Sequence, residues 1–82
     1  MIDRTRPVHP QLARILRARI ADGTYPAGER MPGVVALASE FDVAVSTVHR
    51  AVAALRAEGL VVTWSGRGSF VAPYDGEQDT SS

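Results

Sequence analysis

Near the middle of the 82-residue chain, four side chains that donate hydrogen bonds lie close together in sequence: Ser46, Thr47, His49 and Arg50. Hydroxyl, imidazole and guanidinium groups in such a cluster suit the acceptor atoms of phosphates and nucleobase edges. The chain offers little for catalysis, because it has no cysteine, only two histidines, no phosphate-binding glycine loop and no cluster of metal ligands. We therefore expect these residues to bind a partner, with no enzymatic activity, cofactor or metal ion.

The spacing of the neighbouring apolar residues places these donors on the outer face of a helix. The apolar positions follow the i, i+3, i+4, i+7 pattern of an amphipathic helix: Val48, Ala51, Val52 and Leu55. A shorter apolar face precedes it: Leu37, Ala38 and Phe41. Between the two, Asp42 tolerates the left-handed conformation of a tight turn, and Val43 is placed to fill the angle between the helices. This layout is a helix-turn-helix, in which the start of the second helix meets base edges in the major groove of DNA.

The residues before this motif predict a first helix and a short extended segment. Pro10 suits the first helical position, and Gly23 stops a helix that runs to about Asp22. The arginines of this helix are expected on its solvated side: Arg14, Arg17 and Arg19. Residues 29–31 are extended enough to pair at a sheet edge, and Gly33 is a weak N-cap for the next helix.

After the motif, Gly59 closes the long helix and two short β segments follow. Residues 60–64 and 69–72 are rich in β-branched and aromatic side chains, and the turn between them puts Arg67 at a glycine-framed tip. The order helix, short strand, helix, helix, hairpin predicts a winged helix-turn-helix. This fold is mainly α with a small β-hairpin (α+β), in which three helices carry a two- to three-stranded wing.

Charge is unevenly distributed along the chain, although the formal net charge is zero. All nine cationic residues are arginine, and residues 1–72 hold all nine against six acids, which leaves a charge of +3. Residues 73–82 hold three acids and no cation. The predicted regions are a flexible N-terminal arm at 1–9, the winged helix-turn-helix domain at 10–72, and a disordered acidic tail or linker at 73–82. The domain is thus mildly basic, as suits contact with phosphates.

The sequence contains no feature that directs it to a membrane or out of the cell. No apolar run approaches the roughly 18 residues of a membrane-spanning helix, and the N-terminal residues lack the apolar core of a signal peptide. We therefore expect a cytoplasmic protein without a membrane partner.

Three segments, PAGERMP, LASEFDVAVSTVHRAVAALRAEGLV and GRGSFV, occur in this order over roughly residues 12–71. Together they resemble the N-terminal DNA-binding domain of GntR-type bacterial transcription regulators. The resemblance implies sequence-specific binding to double-stranded DNA at the bacterial nucleoid, with repression as the expected sense of regulation. It also implies that a recognition helix at about 45–58 enters the major groove, while the wing at 65–69 lies on the adjacent minor groove or backbone.

The resemblance assigns DNA contacts to seven positions: Val45, Ser46, Thr47, His49, Arg50, Gly66 and Arg67. Arg4 and Arg6 of the N-terminal arm are further expected phosphate contacts. Two places depart from the family pattern. Ala44 and Val45 stand where the family commonly has Ser then Arg, and Val35 stands where it commonly has Arg. These changes remove charge-assisted contacts and leave specificity to the remaining polar residues.

Each of these residues also has a purely structural interpretation. Ser46 and Thr47 can satisfy N–H groups in the first turn of the helix. His49, Arg50 and Arg67 can be inert surface groups, and the arm that carries Arg4 and Arg6 is more typical of a solvated terminus than of a phosphate contact. Trp64 is more typical of hairpin core or flank than of a contact that stacks on a sugar. For the protein as a whole, the alternative function is a winged-helix protein-interaction module.

The partner that the resemblance implies is double-stranded DNA. Family members usually carry a C-terminal effector and dimerisation domain, and we expect no effector domain within these 82 residues. The short helices are committed to one small core, so we expect a monomer in solution that pairs on two half-sites.

Overall fold

The helix that carries the polar cluster packs against three other elements of the fold. The computed structural model describes residues 2–64 and 66–72. The helices are α1 (Val8–Ala21), α2 (Val34–Phe41) and α3 (Val45–Ala57), and the strands are β1 (Val61–Trp64) and β2 (Gly68–Val71). Because α1, α2 and β1 all pack against α3, this helix is held on three sides. The predicted architecture of three helices and a hairpin is confirmed.

The buried core follows the apolar pattern of the sequence. The largest side chains that are fully buried come from every helix and from β1: Leu12, Leu16, Leu37, Val48, Leu55 and Val61. All four predicted apolar residues of α3 are buried, so its opposite face is turned to solvent. In the described residues no polar or charged side chain is buried. The core is therefore held by apolar contacts, and the polar residues remain available at the surface.

The start of α1 differs from the sequence prediction. The helix begins at Val8, not at Pro10, so the predicted domain boundary between residues 9 and 10 falls inside α1. Pro10 occupies the third helical position, where an N–H group would have no acceptor within the helix. Gln11 donates from Nε2 to the carbonyl oxygens of Asp3 (2.7 Å) and Pro7 (3.0 Å), which folds the preceding residues against the helix start. The flexibility of the arm stays a prediction.

Both predicted helix ends around the motif are confirmed. Asp42 adopts the left-handed conformation with φ of 56°, and the half-buried Val43 packs against the core. At the end of α3, the N–H of Gly59 donates to the Arg56 carbonyl and the N–H of Leu60 to the Leu55 carbonyl, both at 3.0 Å. This is the Schellman arrangement, and the φ of 80° at Gly59 explains why glycine suits that position.

The wing consists of two paired strands and an extra segment on the open edge of β2. β1 and β2 are antiparallel, with Val61 opposite Val71 and Trp64 opposite Gly68. The extended segment bonds to the other edge of β2, since Met31 N–H donates to the Ser69 carbonyl at 2.8 Å. This confirms the predicted pairing of residues 29–31. The predicted acidic tail lies outside the described residues.

Arg19 fixes α2 against α1 and the turn that follows α1. Its Nη2 lies 2.7 Å from Oε2 of Glu40, and its Nη1 donates to the hydroxyl of Tyr25 at 2.7 Å. The guanidinium carbon also lies 4.9 Å from the ring centre of Phe41. The bonds to Glu40 and Tyr25 raise the pKa of Arg19, so it stays charged. Arg19 is thus a structural residue, not the solvated one that the sequence predicted.

A second ion pair joins α1 to the end of α3 and makes the stability depend on pH. Arg17 Nε donates to Glu58 Oε1 at 2.8 Å, and this hydrogen bond lowers the pKa of Glu58. A lowered pKa in the folded state stabilises the fold above the unfolded-state pKa of glutamate, about 4.3. That contribution is lost as pH falls through the folded-state pKa.

We therefore expect Glu58→Gln to lower the melting temperature near neutral pH, and the difference from wild type to shrink as the solution is acidified to about pH 3. Thermal unfolding followed by circular dichroism at both pH values measures this. Glu29→Gln is the control, because Glu29 is exposed and has no ion pair among the described residues. A Glu58→Gln difference of equal size at both pH values would contradict the assignment.

Among residues 2–64 and 66–72, none of the helices has the length and apolar character needed to span a bilayer.

Candidate nucleic-acid interface

The exposed face of α3 carries most of the sequence-predicted site residues. Ser46 and Arg50 lie one turn apart, opposite the buried stripe, and both are exposed. Val45 and His49 are also one turn apart, on the flank that faces the wing, where His49 lines a cleft of about 330 Å³. Thr47 lies on the other flank and is half-buried. The structure therefore brings the α3 residues together, with Thr47 the least accessible.

The first turn of α3 has no side-chain cap. Ala44 takes the N-cap position with φ of −69° and ψ of 150°, and no side chain bonds to the free N–H groups that follow. Within the described chain, the hydroxyls of Ser46 and Thr47 form no side-chain hydrogen bond. The interpretation that they cap the helix is thus not supported. Uncapped N–H groups at a helix start suit an external anion such as a phosphate.

Arg56 ties the wing to α3. Its Nη1 donates to Thr63 Oγ1 at 3.1 Å, and Thr63 Oγ1 lies 3.2 Å from Ser69 Oγ on the facing strand. One guanidinium group therefore reaches both strands of the wing through a short chain of hydroxyls. The orientation of the wing relative to α3 is set by this network as well as by the core.

The guanidinium of Arg30 lies beside Gly68, near the tip of the wing. A Cβ atom at Gly68 would stand 3.1 Å from Arg30 Nε and 3.2 Å from Nη2, and Gly68 has φ of +102°. Glycine at this position therefore admits both the backbone conformation and the close approach of the guanidinium. Sequence reasoning missed Arg30 and Arg56 as site residues. A signal for Arg30 is present in the sequence, since residues 29–31 are expected to pair at the sheet edge.

Cations are divided between two sides of the domain. Three arginines of the N-terminal part and α1 form ion pairs: Arg6 with Asp3, Arg17 with Glu58 and Arg19 with Glu40. In the part of the chain that the structure describes, the arginines of α3 and of the wing region form no ion pair: Arg30, Arg50, Arg56 and Arg67. The α3 and wing side therefore holds four arginines that have no ion-pair partner among the described residues.

The wing tip presents Arg67 and an exposed aromatic ring. Gly66 and Gly68 flank Arg67 and have positive φ values of 78° and 102°. The N–H of Arg67 donates to the Trp64 carbonyl at 2.9 Å, which closes the turn and leaves the arginine side chain exposed. Trp64 is 57% exposed, so of the two predicted places, core or flank of the hairpin, it takes the flank. A flat ring beside a cationic tip is able to stack on a sugar or base.

The two predicted cations of the arm are not gathered with the α3 residues. Arg4 Nη2 donates to the Phe41 carbonyl at 3.0 Å, at the end of α2. Arg6 Nε lies 3.8 Å from Asp3 Oδ2. Each therefore has a partner inside the protein, and its contact with DNA stays a prediction.

Two of the three residues that depart from the family pattern are exposed valines. Val35, in the first turn of α2, is 69% exposed, and Val45, the first residue of α3, is 38% exposed. Neither side chain is needed to fill the core. Their apolar character is thus a property of the surface that α2 and α3 present.

Comparison with known proteins agrees with this geometry. The family model for bacterial regulatory proteins of the gntR family matches residues 9–71. An uncharacterised helix-turn-helix transcriptional regulator of Rhizobium meliloti is 43% identical over 65 residues, which are 79% of this chain and 27% of that protein. The probable fructoselysine utilization operon transcriptional repressor of Escherichia coli is 36% identical over 52 residues, 63% of this chain and 21% of the repressor. The chain thus spans roughly a fifth to a quarter of the length of these relatives.

Solved structures show the same fold. A GntR family transcriptional regulator from Listeria monocytogenes superimposes with a TM-score of 0.86 at 27% identity, covering 98% of this chain and 75% of that one. The DNA-binding domain of AraR, solved in complex with operator ORX1, gives a TM-score of 0.75 at 26% identity, with 78% and 77% of the two chains covered. These matches confirm the winged helix-turn-helix and the resemblance found in the sequence. The chain belongs to the GntR family of bacterial regulatory proteins.

Proposed function

We propose that this chain is the DNA-binding domain of a bacterial transcription regulator, and that it recognises a specific double-stranded sequence in the cytoplasm. One observation carries the proposal. The exposed donors of α3 stand beside a wing whose arginines form no ion pair in the described chain. Such a surface binds phosphates and base edges by hydrogen bonds and charge, without catalysis. Repression is the proposed sense of regulation, since the matched relatives include named repressors.

In this proposal the start of α3 enters the major groove. Arg50 is long enough to donate two hydrogen bonds to guanine O6 and N7, and His49 donates to an acceptor on a neighbouring base. Ser46, which faces outward beside them, contributes a short hydrogen bond to a base or phosphate. The half-buried Thr47 is assigned to the edge of the interface.

The wing and its surroundings supply the contacts that do not depend on sequence. Arg67, together with the backbone of Gly66, reaches the adjacent minor groove or backbone. Arg56 lines the cleft between α3 and the wing, and Arg30 lies beside Gly68 of the same cleft; both are proposed to contact phosphate oxygens. Arg4 and Arg6 are proposed to exchange their present partners, the Phe41 carbonyl and Asp3, for phosphates. Two copies of the domain are proposed to pair on two half-sites of the DNA.

Selection of bound duplexes from a random DNA library tests the function directly. We expect enrichment of a defined half-site, and a repeat of that half-site at about one helical turn would show that two copies bind together. Failure to enrich any sequence, together with no binding to random duplex at low salt, would favour the protein-interaction module instead.

Salt dependence separates phosphate contacts from other forms of binding. With about three to five arginine contacts to phosphate, log K is expected to fall with log salt at a slope of about −0.9 for each contact. Arg30→Gln and Arg67→Gln should each reduce the slope by about one. Arg14→Gln is the matched control, because Arg14 is an exposed cation of α1 that forms no ion pair in the described chain. An affinity that does not change between about 50 and 200 mM salt would contradict the proposal that arginines of this surface contact phosphates.

A further inference from the structure

Val45 is an apolar side chain in the middle of a polar surface. It is the first residue of α3 and is 38% exposed, with Ser46 beside it and His49 one turn further on. A single exposed valine needs no special explanation in most proteins. Here, however, the side chain lies in the first turn of α3, the part of the helix that is assigned to the major groove, beside the hydrogen-bond donors Ser46 and His49.

The chemistry of valine leaves one favourable ligand in that groove. Its two methyl groups form no hydrogen bond, and the side chain is too short to reach the phosphate backbone from the base edges. A polar base edge in contact with these methyl groups would lose its hydrogen bonds to water without gaining a hydrogen bond from the protein. Among the four bases, thymine alone presents a methyl group in the major groove, and apolar side chains pack on it.

The conformation of Val45 suits such a contact. A β-branched side chain in a helix is restricted to one preferred χ1 rotamer, so little side-chain entropy is lost when it becomes fixed against a ligand. The first turn of α3 is also the part of the helix that inserts most directly into the groove. An arginine at this place would instead select guanine through O6 and N7.

We propose that Val45 is a specificity-determining residue that packs on the C5-methyl group of a thymine. The recognised half-site therefore holds an A·T pair opposite the first turn of α3. This inference rests on the proposed function, because it requires that the start of α3 meets bases. It adds a base identity that the polar residues alone do not specify.

Removal of the thymine methyl tests the contact. The duplex selected from an unmethylated random library is prepared again with deoxyuridine in place of every thymine, which deletes the methyl groups and keeps the base pairing. Wild-type protein is expected to bind the deoxyuridine duplex about fourfold more weakly for each methyl that Val45 buries. Val45→Ala should lose most of this difference between the two duplexes.

Val62→Ala is the matched control, because Val62 is exposed to nearly the same degree (37%) but lies on β1. It should retain the wild-type preference for thymine. A preference that is unchanged in Val45→Ala would show that the methyl acts through another residue or through DNA shape, and would overturn the inference. Equal binding of both duplexes by wild type would also overturn it.

A second variant measures the same assignment by gain instead of loss. Val45→Arg should change the selected base pair opposite the first turn of α3 from A·T to G·C when the selection is repeated. Selection of the same half-site by Val45→Arg would overturn the inference while leaving the proposed function intact. A wild-type selection that enriches no sequence would instead remove the proposed function itself.

Discussion

Arg50→Ala is expected to weaken binding to the preferred duplex by about 1 to 3 kcal/mol and to flatten the preference at one or two base pairs. Arg50 lies on the outward face of α3, and a guanidinium that donates to two guanine acceptors discriminates against every other base at that position. His49→Ala should behave in the same way at a neighbouring base. Arg67→Ala, at the wing tip, should weaken binding to all duplexes similarly.

The measurement is a set of binding isotherms on the specific and a scrambled duplex at two salt concentrations. Arg14→Ala serves as control, since it removes an exposed cation from α1, away from the interface. An unchanged ratio of specific to scrambled affinity in both Arg50→Ala and His49→Ala would mean that α3 does not read sequence. The protein-interaction module would then be the better explanation of the exposed face.

The parts of the fold that could be predicted are those set by local sequence. The buried stripe of α3 follows from a 3.6-residue period, and the polar face follows because it lies opposite. Asp42 and Gly59 are recognisable as left-handed positions because few other residues tolerate that conformation. Most of the candidate site on α3 could likewise be predicted, because its residues all lie outside the buried stripe of one helix.

The missed features depend on contacts between distant parts of the chain. Arg17 and Glu58 are 41 positions apart, and no periodicity in either helix indicates that they meet. The role of Arg56 required knowledge that Thr63 faces α3 across the start of the wing. The early start of α1 depends on Gln11, whose amide bonds to the chain that precedes the helix. Propensity alone favoured proline at the first position.

The two helices of the motif begin without side-chain caps, and we expect this to link the stability of the domain to the proposed DNA binding. Gly33 and Ala44 occupy the N-cap positions of α2 and α3, and neither provides an oxygen for the free N–H groups. A capping oxygen is typically worth about 0.5 to 2 kcal/mol of stability. Phosphates of bound DNA would supply the missing acceptors, so the domain should gain stability when it binds.

This coupling matters most for a core variant. Leu55→Ala should lower the free energy of unfolding by about 2 to 5 kcal/mol, because Leu55 is fully buried in the helix that packs against α1, α2 and β1. An 82-residue domain has an unfolding free energy of roughly 4 to 12 kcal/mol in total. The Leu55→Ala variant should therefore keep only part of the wild-type stability and unfold at a clearly lower urea concentration.

Urea unfolding measures this loss, and Leu60→Ala, which truncates a half-buried leucine just beyond α3, should show a smaller one. Specific DNA at a concentration of about 100 times its Kd would raise the free energy of unfolding by about 2.7 kcal/mol in a variant that still makes the DNA contacts. Leu55→Ala should thus unfold at a higher urea concentration when specific DNA is present, and its folded fraction should keep the wild-type base preference. Arg50→Ala should have nearly the wild-type free energy of unfolding but lack the wild-type base preference. If the two variants lost specificity in the same way, the separation between the core face and the reading face of α3 would be refuted.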